Sequence, residues 1–301
     1  MNLKGEVVKK NEGTHQSVAV VVLAFSKAEL LKQLLDSLRT QTRKPDEIIV
    51  VFQGSDARIL NWLKEQQDLT LHAQENLGSA GGFSTGIQLA IAKGHRWTWI
   101  VDDDAVPAAD ALQRMVESPH FDWNSTGFLS SRIVDPAGRT YMSPTPKDAN
   151  LWYGTVLTEH CVPVMKATWL GMLVSTSAVI ECGLPIKEYF LWDEDIEFTS
   201  RIAHAKPSYC VIDSVIVHYQ KDQFDPFSPG DKIKHLHFVR NRVATIRLSQ
   251  GTFVKRWARI LLWVAKVVGD VFKRKAPVES IFWVLNGVFM FRPRIQHLEL
   301  P

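Results

Sequence analysis

Trp97-Thr-Trp-Ile-Val-Asp-Asp-Asp-Ala105 is the stretch whose reading decides the fold. Five mostly apolar, β-prone residues run into three consecutive carboxylates, Asp102, Asp103 and Asp104, with Gly94 before the run and Pro107 after it. A short apolar run between such breakers predicts an inner strand of a parallel sheet over 97–101. The acids then fall at its carboxyl end, where open α/β sheets bind their ligands. Alternation along an extended chain predicts that Asp102 and Asp104 point one way and Asp103 another. Two hard oxygen ligands beside an open site suit Mg²⁺ or Mn²⁺, which take one or two carboxylates together with substrate phosphates. The competing reading is a solvated acidic turn ahead of a helix.

Upstream, Ser17 to Phe25 is a continuous apolar, β-branched run and predicts a buried first strand. Leu30, Leu31, Leu34, Leu35 and Leu38 follow at helical spacing, and Glu47 to Phe52 predicts a second strand beyond Pro45, completing a βαβ unit. A short helix over 61–67 and a short strand over 70–73 come next. Then Asn76-Leu-Gly-Ser-Ala-Gly-Gly-Phe-Ser-Thr-Gly86 leads into a helical pattern over 87–93. Gly78, Gly81 and Gly82 would let the backbone approach a ligand, with the N–H groups of the helix start free for an anion. A purely structural turn is the alternative. The stretch matches neither a Walker A loop nor a dinucleotide fingerprint.

Downstream, a helix is expected over 109–117, an irregular region over 121–166 containing a strand at 128–134, and a Pro-, Tyr- and Trp-rich substrate-facing loop over 140–155. Thr168 to Ser175 reads as a strand carrying Trp169, and Thr176 to Cys182 as a helix stopped by Gly183. In Tyr189-Phe-Leu-Trp-Asp-Glu-Asp-Ile-Glu-Phe198, the acids Asp193, Glu194, Asp195 and Glu197 crowd a helix start beside Trp192. Helix-dipole capping explains some of this. A catalytic carboxylate explains the crowding better. Tyr209 to Tyr219 is a strand ending at His218, a structural imidazole or a third metal ligand, and 221–231 reads as a lid. Arg240 and Arg242, on the next helix, are candidates for phosphates or for surface ion pairs. Thr252 to Lys275 predicts a helix with a broad apolar face and basic residues, and Ile281 to Phe291 is a second apolar stretch. Both are too short or too charged to span a bilayer, and suit either an anionic membrane surface or packing on the rest of the chain.

With 301 residues, 46% of them hydrophobic and 22% charged, the chain can bury a core of one large α/β unit plus an appendage. Its formal charge of +3 is unevenly spread, with nine Lys/Arg against three Asp/Glu from Thr252 onward. That asymmetry predicts a local basic surface and no nucleic-acid partner. Cys161, Cys182 and Cys210 are odd in number and far apart, so reduced core thiols of a cytosolic protein are expected. Met1 to Gln16 is polar and predicts no secretory signal.

The ordered set EIIVVFQGS, NLGSAGGFSTGI, DDDA, WLGMLVS, CGLPIKEYFLWDEDIEFTSR, His218 and Arg240-Asn241 resembles the family 2 glycosyltransferases over roughly residues 17–245. Within that family it resembles the bacterial rhamnosyl- and galactofuranosyltransferase branch that builds cell-envelope polysaccharides. The resemblance implies a GT-A fold, α/β with a mostly parallel central sheet flanked by helices. Its catalytic domain would cover 1–230, with a donor half over about 17–105 and an acceptor half over about 106–230, followed by a C-terminal helical region over 231–301. It implies a metal-dependent, inverting hexosyltransferase. The donor would be a UDP- or dTDP-linked sugar, with galactofuranose or rhamnose favoured. The acceptor would be a lipid-linked glycan at the cytoplasmic face of the inner membrane, reached through peripheral attachment of the C-terminal helices.

Carried over residue by residue, Asp102, Asp104 and His218 would hold Mn²⁺ or Mg²⁺. Ala24, Phe25, Gln53, Asn76, Gly78, Gly81, Gly82, Asp103 and Arg240 would face the donor. Asp195 would be the general base with Glu194 beside it, and Trp169, Trp192 and Asp193 would meet the acceptor. Gln53 departs from the family's usual Asp or Asn before Gly-Ser, with Asp56 nearby. Two other readings are a nucleotidyltransferase, whose glycine-rich signature is missing from residues 24–32, and a non-catalytic sugar-binding or membrane-surface scaffold.

Overall fold

In a computed structural model, the structure describes residues 16–142, 144–147, 152–219 and 232–298. The lid expected over 221–231 lies outside them. The first half alternates strand and helix: β1 (Val18–Ala24), α1 (Ala28–Arg39), β2 (Glu47–Phe52), α2 (Ala57–Glu65), β3 (Thr70–Ala73), α3 (Gly78–Ala92) and β4 (Trp97–Asp102). There follow β5 (Ala105–Pro107), α4 (Ala111–Val116), β6 (Phe128–Val134), β7 (Thr145–Pro146), α5 (Trp152–Glu159), β8 (Cys161–Lys166) and β9 (Met172–Ser175). The chain continues through α6 (Thr176–Cys182), a 3₁₀ turn (Lys187–Tyr189), α7 (Glu194–Ala205) and β10 (Tyr209–His218). Three helices close the described chain: α8 (Lys232–Leu248), α9 (Phe253–Phe272) and α10 (Glu279–Phe289).

The strands form one sheet in the order β3-β2-β1-β4-β9-β6-β10-β8-β7, with β5 on β10. Every residue of β1 is buried. Val18, Val20 and Val22 pack with Leu31, Leu34, Leu35 and Leu38 of α1, while Ala19, Val21 and Leu23 meet Phe83, Ile87 and Ala90 of α3. Each valine, leucine, isoleucine or phenylalanine among them contributes roughly 1.5–3 kcal/mol on burial. This two-sided burial is why the first strand is apolar throughout rather than alternating. Cys161, Cys182 and Cys210 are free and buried, as expected.

Three expectations need correction. The central strand β4 is parallel to β1 but antiparallel to β9, so the sheet is mixed at its middle. The strand expected over 168–175 is only Met172–Ser175, because Gly171 takes φ +71 and turns the chain there. The glycine-rich stretch is not a loop: α3 begins at Gly78 itself. A Cβ on Gly82 would lie 2.3 Å from Leu23 Cδ1, and one on Gly81 would lie 2.4 Å from Leu77 Cβ. Gly82 lets α3 approach β1, and Gly81 leaves room for the Leu77 side chain at the helix's own start, so packing accounts for both.

Candidate active site

The carboxyl ends of β1, β2 and β4 lie side by side, because β1 is paired in parallel with both neighbours. Regular pairing of β4 ends at Asp102, and Asp103 and Asp104 form a turn into β5. Alternation therefore no longer applies, and all three acids face one place: carboxylate oxygens of Asp102, Asp103 and Asp104 lie within 4.8 Å of one another. Asp103 is a full member of the group, contrary to the alternation argument. Its Oδ2 also accepts the Phe25 N–H at 3.1 Å, tying the end of β1 to the cluster.

Antiparallel pairing of β10 with β5 sets His218 opposite Ala105 and so beside Asp104. Nε2 of His218 is 3.3 Å from Oδ1 of Asp104. Tyr141 was missed by the sequence reading. Its hydroxyl is hydrogen-bonded to Nδ1 of His218, and the two rings stack with centroids 5.9 Å apart. A partner on Nδ1 fixes the ring and presents Nε2 to the acids, as in metal-ligating histidines. Lys27 was also missed. Its ammonium bonds Asp104 and sits 3.6 Å from Asp103. Its place just beyond the end of β1 is the signal that would have found it.

Burial first, and then repulsion from Asp103 and Asp104, pushes the Asp102 carboxyl well above the usual range. Burial acts on Asp104 in the same direction. There the His218 imidazole and Lys27 ammonium outweigh it and hold the carboxyl low. The donor set fits a divalent cation by its chemistry: carboxylate oxygens of three acids converge within 4.8 Å, and the buried Oδ1 of Asp104 has the His218 Nε2 against it at 3.3 Å. Carboxylate oxygens such as those of Asp102 and Asp104 are donor types that Mn²⁺ or Mg²⁺ takes, and an imidazole nitrogen such as that of His218 is a common further metal ligand.

The second acidic cluster reaches the same edge through β9. Met172 lies opposite Ile100, so residues 169–171 pass the end of β4. Trp169 then donates its indole N–H to Oε1 of Glu194 at 3.2 Å, and Ser79 of α3 donates to the same oxygen. Glu194 is buried, and its other oxygen has no partner among the described residues. Burial, and then Asp195, raises its carboxyl well above the ordinary value. Asp195 is half-buried and accepts the Ile196 N–H at 2.7 Å. Burial pushes it up to about 7; the Ile196 N–H opposes this, and the Asp193 carboxylate adds to it.

The backbone ahead of α7 is unusual. Phe190, Trp192 and Asp193 all take positive φ, at 63°, 70° and 68°, and none is glycine. Each such conformation costs about 1–3 kcal/mol and persists only where the surroundings over-determine it. From one side, Ala80 N–H donates to the Phe190 carbonyl at 3.2 Å. Gly78, at φ +70, is required there, since a Cβ would sit 2.0 Å from that same carbonyl oxygen. From the other side, α8 supplies Asn241 and Arg242.

Several expected contacts are placed otherwise. Arg240 donates to the carbonyls of Glu188 and Tyr189 and to Asn241, and stacks on Phe291 with its guanidinium carbon 3.9 Å from the ring centroid, so it is a brace for the 3₁₀ turn and not a phosphate ligand. Gln53 is buried, its Oε1 accepting from Gln74 and the Leu77 N–H and its Nε2 donating to the Gly78 carbonyl. It brackets the segment before α3 and has no oxygen left for a nucleoside. Asn76 caps the Gly78 N–H at 3.0 Å, and Ala80 N–H is taken by Phe190, so the start of α3 is not a free anion site. Asp56 caps α2 and pairs with Arg58. Trp169 is core, 5% exposed between Phe83 and Phe198, so it cannot stack on a sugar. Asp193 is 5% exposed and paired with Arg242 of α8 at 2.7 Å, so its carboxylate is engaged within the protein. Ala24 is fully buried, whereas Phe25 is 47% exposed just beyond the strand end.

Comparison with known proteins agrees with this geometry. Residues 19–157 match the family described as glycosyl transferase family 2. Galactofuranosyltransferase GlfT1 of Mycolicibacterium smegmatis is 27% identical over 257 residues, 76% of this chain and 83% of that protein. Its namesake from Mycobacterium tuberculosis is 26% identical over 247 residues, 75% of this chain and 81% of that one. Among solved structures, GalNAc-T7 with UDP, GalNAc and Mn²⁺ superposes with a TM-score of 0.61 at 14% identity, over 77% of this chain and about half, 48%, of that one. S. aureus TarS 1–349 in complex with UDP-GlcNAc superposes with a TM-score of 0.57 at 15% identity, over 90% of this chain and 79% of that one. The chain is thus a glycosyltransferase of GT-A fold, with residues 19–157 matching glycosyl transferase family 2 and most of its length similar to the galactofuranosyltransferases.

Proposed function

We propose that this enzyme transfers a hexose, with galactofuranose favoured, from a nucleoside diphosphate sugar to a hydroxyl of a lipid-linked glycan, with inversion and with a divalent cation. The observation that carries this reading is two acidic groups of different character on one sheet edge. One is a tight triplet with a histidine beside it, suited to a cation. The other presents Asp195, a half-buried carboxyl raised to about 7 at a helix start. Galactofuranose is favoured because relatives of that activity match three quarters of the chain.

Asp102, Asp104 and His218 would hold the Mn²⁺ or Mg²⁺ ion. When bound, it neutralises charge on the departing diphosphate. Phe25 offers an exposed apolar face to the nucleobase at the end of β1. Asp195 takes the proton of the acceptor hydroxyl as that oxygen attacks the anomeric carbon, and its raised value places it near neutral pH, where a general base works best. The attack and the departure occur on opposite faces of the sugar, so the anomeric configuration inverts in one displacement. Of the two tryptophans considered for the acceptor, the half-buried Trp192 is the one open enough to contact it. Calorimetry with UDP, dTDP, GDP and CDP, with and without Mn²⁺, tests the reading. Metal-dependent binding of one diphosphate is expected, and no binding by folded protein sinks it.

The same proposal places the enzyme peripherally on the cytoplasmic face of a membrane. No helix among the described residues is long and apolar enough to cross one. The apolar residues of α9 fall on two faces. Ile260 and Val267 pack inward with Val239, Val243, Val284 and Val288. Val254, Leu261, Leu262 and Phe272 are 63–82% exposed, with Lys255, Arg259, Lys266 and Lys273 along one flank. An outward apolar stripe edged by cations suits an anionic bilayer surface. Full-length protein is expected to float with vesicles containing phosphatidylglycerol, and Leu261→Glu/Leu262→Glu to lose that flotation without losing its fold. Equal flotation of the two proteins would refute membrane attachment by α9.

A further inference from the structure

The strained segment ahead of the acidic helix is held by consecutive residues of α8, and the centre of that hold is Asn241. Its side chain is fully buried. The amide nitrogen donates toward three carbonyls of the segment, those of Tyr189 at 2.9 Å, Leu191 at 2.8 Å and Trp192 at 2.8 Å, while the Phe190 carbonyl between them faces α3. Its oxygen accepts from the Arg240 guanidinium at 2.9 and 3.0 Å. The amide can therefore face only one way, with nitrogen to the carbonyls and oxygen to the arginine. Arg242, one residue on, holds Asp193, the residue that opens α7. On its far side the same segment docks on the start of α3 through the Phe190 carbonyl.

We infer that Asn241 is a positioning residue for Asp195, setting the entry of α7, and with it the base, through the Leu191 and Trp192 carbonyls. The inference rests on the reading of Asp195 as general base. Asn241 touches neither reacting atoms nor the metal-binding acids. Its hydrogen bonds keep Trp192 and Asp193 left-handed, and the first turn of α7 follows from where those two residues leave the chain. No other residue type with an uncharged side chain of this length offers both a double donor and an acceptor. Aspartate, of the same shape, would put an oxygen against three carbonyl oxygens.

The test compares Asn241→Asp and Asn241→Ala with the parent, alone and in an Asp195→Asn background. In the parent background kcat is expected to fall roughly 100-fold, the loss typical of a base displaced by about 1 Å. Affinity for the nucleoside diphosphate should stay within about threefold, since the side chains of the acidic triplet are held by Phe25, Lys27 and His218 rather than through Asn241. The acid limb of the kcat profile should move to lower pH, because a loosened segment admits water and relieves the burial that raises Asp195. In the Asp195→Asn background, Asn241→Ala should cost less than about threefold more, as for residues acting as one unit. Full additivity of the two losses, or an unmoved acid limb with donor affinity and kcat falling together, overturns the inference. Should Asn241→Ala fail to fold, Asn241→Asp and Asn241→Gln carry the same comparison. Turnover undiminished in Asp195→Asn alone would instead overturn the assignment of the base, a separate outcome.

Discussion

Asp195→Asn is expected to lower kcat by roughly 10²–10⁴-fold, the range that a positioned general base contributes, while binding of the nucleoside diphosphate remains. Asparagine keeps the shape and can still accept the Ile196 N–H bond. Only the ability to take a proton is lost. A scaffold protein would show no such split between turnover and binding. The pH dependence follows from the same residue. Its folded value, about 7, lies above that of an ordinary aspartate, so the ionised fraction falls tenfold per unit as pH drops below 7. The kcat profile should therefore have an acid limb near pH 7 that is missing from the residual activity of Asp195→Asn.

Stability runs in the opposite sense. Between about pH 4 and 7 the folded chain holds a proton on Asp195 that the unfolded chain has released, so this group's contribution to stability falls as pH rises through that window. Removing the charge removes the penalty. Asp195→Asn should melt at a higher temperature than the parent at pH 8, and calorimetric scans at pH 5 and 8 should show the gap narrowing at the lower pH. An inactive variant more stable than its parent cannot owe its inactivity to unfolding.

The second large effect is expected at Asp104. Its Oδ1 is buried against the His218 imidazole, and its Oδ2 accepts from the Lys27 ammonium. Asp104→Asn keeps the volume but removes the charge that both partners need. Loss of an outer partner at a metal site already costs about 10–100-fold in metal affinity, and loss of a ligand should cost at least as much. The Mn²⁺-dependent part of nucleotide binding should disappear in calorimetry, while the metal-free part changes little. If Asp104→Asn binds Mn²⁺ and nucleotide as the parent does, the triplet is a structural turn and the cation role is lost.

Lys27 bears on the same measurement. Its ammonium lies against the acids from the β1–α1 connection and offsets part of their charge. A divalent ion on this cluster meets that ammonium, so the apparent metal affinity includes the free energy of separating Lys27 from Asp104.

Much of this was legible in the amino-acid sequence, for a local reason. The seven buried residues of β1, the leucine spacing of α1 and the apolar run ending in three aspartates all express the period of an element and the surface it buries. The acids at the start of α7 belong to the same class, because four carboxylates in five residues are a feature of the chain itself. The ends of β1, β2 and β4, the start of α7 and the carboxyl edge of the sheet followed from these patterns, whereas the start of α3 at Gly78 did not.

What the tertiary structure alone decided concerns the surface that each residue meets. Gly82 serves close packing because Leu23 lies beneath it, and Gly78 because a carbonyl from residue 190 arrives there. Gln53, Trp169 and Arg240 carry side chains that suit a ligand as well as they suit the interior. Their neighbours, 20 to 100 residues away in the chain, assigned all three to the interior. Tyr141 and Lys27 entered the site the same way, through a strand register and a loop direction that no local pattern encodes. The left-handed segment before Asp195 is the clearest case. No glycine marks it, since its conformation is imposed by Asn241 and Arg242 nearly fifty residues later, and a strain maintained from a distance leaves no trace in the residues that bear it.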